Sequence, residues 1–182
     1  AELPWAEPWP SEGVPSVLDP RVTGGDPAGV LAVYSLSKRS NLAGYRAAFV
    51  AGDPEVVARL LEARQHAGMI VPGPVQAAMV AALGDDAHVA EQRERYAVRR
   101  ELLAGAFEGA GYVIDGSEAG LYLWVRPEGG QDCLQTVADL AGQGILVAPG
   151  SFYVRGGSPH VRVALTAPDV RVREAAQRLL GA

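Results

Sequence analysis

Ser35-Leu-Ser-Lys-Arg-Ser-Asn-Leu-Ala-Gly-Tyr-Arg46 decides how the rest of the chain is read. It follows one short apolar run, Val30-Leu-Ala-Val-Tyr34, and overlaps the start of a second, Tyr45-Arg-Ala-Ala-Phe-Val-Ala51. Apolar runs of this length, bounded by turn residues, read as strands buried in a parallel sheet. Such sheets place ligands at the carboxyl ends of their strands, which is where Lys38 falls. An amine there can form a Schiff base with an aldehyde. Ser35 and Ser37 offer hydroxyls to a phosphate, Arg46 offers a guanidinium fork, and Gly44 lets the backbone turn between them. Spacing alone leaves a second reading open, a surface lysine in a polar loop, because short motifs often match by chance.

Outward from this stretch, Pro54 opens a helix to about Ala67, with Asp53 as N-cap and Val56, Val57, Leu60 and Leu61 on one face. An alanine-rich helix follows over 74–83 and a long one over 86–109. On the long helix Val89, Tyr96, Leu103 and Phe107 form the inner stripe, while Glu91, Arg93, Glu94, Arg99 and Arg100 solvate the rest. After Gly111 the period changes to two. Strands are expected at 120–125, 145–148 and 160–165, and helices at 131–142 and 168–180. In the first of these strands Tyr122 and Trp124 alternate with Leu121 and Leu123, so one pair is core and the other lines a cleft. The helix over 131–142 is expected to turn Leu134, Val137, Ala138 and Ala141 inward, with Cys133 a small buried residue at its start. Arg162 lies within an apolar strand. Either a carboxylate ligand satisfies it, or it alternates outward while Val161 and Val163 face in. Residues 111–182 therefore read as a compact α+β unit, and 30–52 as two strands of something larger.

Composition narrows the function classes. The 182 residues are 48% hydrophobic and 20% charged, ordinary for a globular domain, and carry a formal charge of −5. That balance lacks the basic footprint of a nucleic-acid binder. No apolar run is long enough to cross a bilayer, so no membrane partner is expected. One cysteine permits no intrachain disulfide and points to a reducing, cytoplasmic setting. His66, His88, His160 and Cys133 show no metal-ligand spacing, and the histidines read as surface or satisfied polar residues. The first 29 residues are rich in proline and glycine and lack a signal-peptide pattern. Trp5 and Trp9 there favour an interior loop over a solvated tail.

The segment SLSKRSNLAGYRAAFVAGD resembles the cofactor-lysine signature of class I aminotransferases, which are fold type I pyridoxal-phosphate enzymes. The wording YSLSKRSNLAGYR most resembles N-succinyldiaminopimelate aminotransferases. Val71-Pro-Gly-Pro-Val-Gln-Ala-Ala-Met79, Gly120-Leu-Tyr-Leu-Trp124, Val147-Ala-Pro-Gly150 and His160-Val-Arg-Val-Ala164 are similar to further family motifs, in the family's order. The resemblance implies an α/β fold: residues 1–85 as the end of a large three-layer α/β/α cofactor domain, and 86–182 as an α+β small domain. It implies pyridoxal 5′-phosphate as cofactor, Lys38 as the lysine that holds it and shuttles the proton, Ser35 and Arg46 on its phosphate with Ser37 as an added contact, and Arg162 on the substrate α-carboxylate. It further implies amino-acid and keto-acid substrates and a homodimer. The family's acidic partner to the pyridine nitrogen, its ring-contacting tyrosine and a phosphate-binding glycine turn have no counterpart here, so the chain is expected to be the C-terminal part of a longer protein.

Overall fold

The computed structural model describes residues 15–117, 120–154 and 158–181. Trp5, Trp9 and the residues around them lie outside the described residues. The described residues group into two compact units, one ending at Glu91 and the other beginning at Gln92.

The first unit is built on an antiparallel pair. Helix α1 (Pro20–Thr23), capped by the Asp19 carboxylate on the Arg21 N–H, leads to strand β1 (Leu31–Ser35). A one-turn helix α2 (Leu36–Arg39) and a 3₁₀ turn (Ala43–Tyr45) return the chain to strand β2 (Ala48–Gly52). The register runs from Leu31 opposite Gly52 to Ser35 opposite Ala48. This corrects the expectation of parallel pairing for these two strands. An apolar run does not report strand direction, and the short α2 link reverses the chain without a crossover helix; nor is either strand covered on both faces among the described residues, since neither has a buried residue and Val33 is exposed. Gly52 closes the ladder at φ 139°, where an added Cβ would stand 2.1 Å from the Val30 carbonyl oxygen. Asp53 ties the next element to this end. One carboxylate oxygen accepts from Gly29 N (2.7 Å), the other from Glu55 N (2.8 Å) and Val56 N at the start of helix α3 (Pro54–His66). Those N–H groups hold the carboxyl below the usual carboxylate range, Gly29 most strongly. Helix α4 (Gly73–Leu83) follows, and helix α5 (Ala87–Gly109) starts in this unit and ends in the second.

The second unit is an antiparallel four-stranded sheet of β3 (Tyr112–Ile114), β4 (Tyr122–Pro127), β5 (Ala148–Pro149) and β6 (Val161–Ala164), in the order β3-β4-β6-β5. Helices α5, α6 (Cys133–Gly142) and α7 (Asp169–Leu179) supply the other half of its core. Leu121, Leu123, Val125, Val161, Val163 and Leu165 point into that core with Leu103, Phe107, Leu140 and Val172. Phe107 is fully buried and meets Tyr112 edge-on at 5.3 Å. The inner face of α6 is Cys133, Thr136 and Leu140, with Val137 partly covered, whereas Leu134, Ala138 and Ala141 are exposed. A stripe drawn from Leu134 is one residue out of phase, because Thr136 is buried with its hydroxyl bonded to the Asp132 carbonyl. Arg99 and Arg100 do not solvate α5. Arg99 bonds Asp169 (2.6 Å) and the Leu165 carbonyl, and Arg100 bonds the Ser117 and Gly120 carbonyls. Residues 145–147 alternate in burial, but the ladder to β6 begins only at Ala148.

Candidate functional site

In the first unit the residues singled out in the sequence gather at one end of the β1–β2 pair. Ser35 ends β1 and caps α2, its hydroxyl accepting from Ser37 N at 3.2 Å. Leu36 anchors the turn: it is fully buried, and its N–H bonds the Ala47 carbonyl. Lys38 stands exposed on this turn, and among the described residues its amine has no hydrogen-bond or ion-pair partner. It is the only lysine in the chain; the other basic side chains are all arginines. Arg46, at the end of the 3₁₀ turn, is exposed with φ 51°, a left-handed conformation uncommon outside glycine. Among the described residues its guanidinium meets only the Ala43 carbonyl, at 3.3 Å. Local strain of this kind is seen where a ligand or a tight turn demands it. One amine, two serine hydroxyls and a guanidinium therefore share one strand end, with free donors on the guanidinium.

The neighbouring Arg39 was not distinguished by sequence. It is nearly buried and holds the Ala82 carbonyl (2.8 Å) and the Asp86 carboxylate.

In the second unit Arg162 lies on the sheet face away from the core. Val161 and Val163 are buried on the inner side, as alternation requires. Arg162 is opposite Trp124 across β4 and β6, and its guanidinium lies over the rings of Tyr122 (4.1 Å) and Tyr153 (4.5 Å). Its Nε is buried without a hydrogen-bond partner. A buried, unmatched N–H on a cation is a standing demand for an acceptor. Alternation and a carboxylate-seeking guanidinium are thus compatible, since the strand's outer face is the one that presents it.

Beside Arg162 the outer face carries a polar chain. Ser158 Oγ is 2.9 Å from His160 Nδ1, His160 Nε2 donates to Asp115 at 2.8 Å, and Arg126 Nε donates to the same Asp115 oxygen at 2.7 Å. The His160 and Arg126 bonds hold the Asp115 carboxyl below its ordinary range, His160 most strongly. Trp124 lies flat on His160 at 5.1 Å and meets Tyr153 edge-on. His160 is thus a satisfied polar residue, while Asp115 and Tyr153, which the sequence did not single out, join it through the fold, from the residue after β3 and the end of the 3₁₀ turn Gly150–Phe152. Among the described residues no three His, Cys, Asp or Glu side chains converge to hold a metal, and no helix is long and apolar enough to cross a membrane.

Comparisons with known proteins agree on one family. A family model described as aminotransferase class I and II matches residues 11–179. A probable aminotransferase of Mycobacterium tuberculosis is 61% identical over 171 residues, covering 94% of this chain and 40% of that protein. A 4-dedimethylamino-4-oxo-anhydrotetracycline transaminase of Streptomyces rimosus is 58% identical, covering 90% of this chain and 45% of that protein. The solved structure of a probable N-succinyldiaminopimelate aminotransferase from Thermus thermophilus superposes with a TM-score of 0.77 at 29% identity, over 99% of this chain and 47% of that one. The chain thus spans less than half the length of the proteins it matches.

Proposed function

This chain belongs to the class I and II aminotransferase family, and from that premise we propose that the full-length protein transfers the amino group of glutamate to N-succinyl-2-amino-6-oxopimelate, a step of lysine and diaminopimelate synthesis. In this reading residues 1–85 end the large cofactor domain and 86–182 form the small domain of a cytoplasmic homodimer. The family works with pyridoxal 5′-phosphate, and the donor set at the β1 end fits it. The observation that carries the reading is the single, exposed, partnerless lysine beside Ser35 and Arg46.

Pyridoxal phosphate supplies an aldehyde that accepts an amine and a ring that draws electrons from the amino acid's α-carbon. Lys38 would hold the aldehyde, and its Nζ would take the proton from the substrate α-carbon and return one. Ser35, Ser37 and Arg46 would bind the phosphate, Arg46 as a fork with donors to spare. Arg162 would take the substrate α-carboxylate, its plane held by Tyr122 and Tyr153.

The wording SLSKRSN and the Thermus thermophilus neighbour support the succinylated substrate. The Streptomyces rimosus relative, at higher identity, supports a second reading in which a ketone on a larger ring system receives the amine. Borohydride reduction of the cofactor-loaded full-length protein, followed by peptide mapping, should place the cofactor on Lys38. Label on a lysine elsewhere in the full-length protein refutes the assignment. Comparing kcat/KM for the succinylated keto acid with other keto acids decides substrate: a preference for another by more than about tenfold, roughly 1.4 kcal/mol, overturns that part.

A further inference from the structure

Helix α2 is a single turn, and one turn has little helical stability of its own. Its strand-side contacts are the Ser35 cap on Ser37 N, the Leu36 N–H on the Ala47 carbonyl (3.2 Å), and the Leu36 carbonyl accepting from Ser40 N (3.1 Å) and Leu42 N (3.3 Å). One side chain of the turn reaches far along the sequence. Arg39 Nη1 donates to the Ala82 carbonyl at 2.8 Å, and Nη2 donates to the Asp86 carboxylate. Ala82 is in the last turn of α4, where carbonyls have no intrahelical partner and the helix dipole favours a cation. Asp86 directly precedes α5, and its carbonyl accepts from Ala90 N. The Arg39 side chain is only 11% exposed, while the Asp86 side chain is 90% exposed. The guanidinium is therefore seated in the fold, with one face of it meeting the carboxylate.

Consecutive helical residues leave the axis about 100° apart, so fixing the azimuth of one fixes that of the next. Among the described residues the Lys38 amine has no hydrogen bond or ion pair to set its direction, and Arg39 has three hydrogen bonds, counting Ser40 Oγ. We propose that Arg39 is a positioning residue: its bonds to the Ala82 carbonyl and the Asp86 carboxylate hold the one-turn helix so that the neighbouring Lys38 amine faces the cofactor. The inference rests on the reading of Lys38 given above. It ties the lysine's aim to the junction between α4 and α5 rather than to any ligand of the lysine itself.

The test uses the full-length protein, with and without pyridoxal phosphate. Without cofactor, Arg39→Gln should raise deuterium exchange at the Ser40 and Leu42 amides about tenfold, with α7 exchange unchanged as the control for folding. With cofactor, kcat should fall about tenfold with KM for glutamate held within about twofold, and the visible band of the lysine-linked cofactor should titrate at a shifted pH. Asp86→Asn should move the same three readouts in the same direction, and Asp86→Glu should restore them. Wild-type exchange and an unshifted visible titration in Arg39→Gln overturn the proposal. So does a loss of α7 protection equal to that at Ser40, because the residue would then only stabilise the fold. Lys38→Ala separates the two readings: it should keep wild-type exchange at Ser40 and Leu42, and a reducible cofactor linkage surviving in it refutes the role of Lys38 without touching the tether.

Discussion

Replacing Arg162 with methionine should leave the stability of the chain nearly unchanged and cripple carboxylate binding. Two opposing changes accompany the loss of the guanidinium. Its contacts with the Tyr122 and Tyr153 rings, at 4.1 and 4.5 Å, disappear; each is worth about 0.5–2 kcal/mol. A buried Nε without an acceptor also disappears, and leaving such a group unsatisfied costs about 1–3 kcal/mol. Methionine keeps an unbranched apolar stem beside the two rings. The terms offset, so the unfolding free energy of the 182-residue chain in urea should move by no more than about 1 kcal/mol. Binding is different: removing one partner of a close, hydrogen-bonded charge pair costs about 2–5 kcal/mol. In the full-length protein kcat/KM for glutamate should therefore fall by about 30-fold to several thousandfold. A destabilisation above about 3 kcal/mol with an unchanged KM would show that Arg162 is a structural bridge between the tyrosines, and would refute the carboxylate assignment.

Two further outcomes follow from the second unit. Asp115 is held ionised by His160 and Arg126, so its folded pKa lies below its unfolded one; the stability it adds is present above about pH 4 and is lost as pH falls through the lower folded value. Asp115→Asn should accordingly flatten the acid-side fall of Tm below about pH 4, and a variant whose acid limb parallels wild type would show that the network is energetically idle. Phe107→Ala, which empties a fully buried site and removes the 5.3 Å edge contact with Tyr112, should cost about 3–5 kcal/mol and lower Tm by about 6–20 °C, read by calorimetry; a drop under about 3 °C would place the core elsewhere.

How legible each part was follows from the range of the interaction that makes it. The cap at Asp53 and the helix it starts are local, and the structure has them where the residues imply. The alternation of β4 and β6 is also local and was readable, but which face is core was not: the structure buries Leu121, Leu123, Val161 and Val163 and puts Tyr122, Trp124 and Arg162 on the other face. Strand direction is not local. Val30–Tyr34 and Phe49–Ala51 carry the same apolar signature whichever way they pair, and only the one-turn link between them makes the pair antiparallel. The phase of α6 was missed for a chemical reason. Hydropathy counts Thr136 as polar and Leu134 as apolar, yet a threonine bonded to the carbonyl four residues back buries at little cost, and a leucine stays exposed.

Arginine was the least legible residue type, and the reason bears on the site. A charge in the sequence marks a solvated face only when its partner is water. Arg99 and Arg100 spend their donors on Asp169 and on the Leu165, Ser117 and Gly120 carbonyls. Arg39 spends its donors on Ala82 and Asp86, more than forty positions away. Arg46 and Arg162 differ from these three in having donors left over: among the described residues Arg46 meets only the Ala43 carbonyl, and Arg162 keeps an unmatched Nε beside two tyrosine rings. A guanidinium fully used by the fold is a staple, and one with unspent donors is where an anion can bind. In the proposed reading Arg46 and Arg162 meet the phosphate and the substrate carboxylate, and Arg39, with its donors spent, would hold the neighbouring Lys38; unspent donors alone do not mark a site, since among the described residues Arg64 bonds only the Met69 carbonyl and lies apart from both.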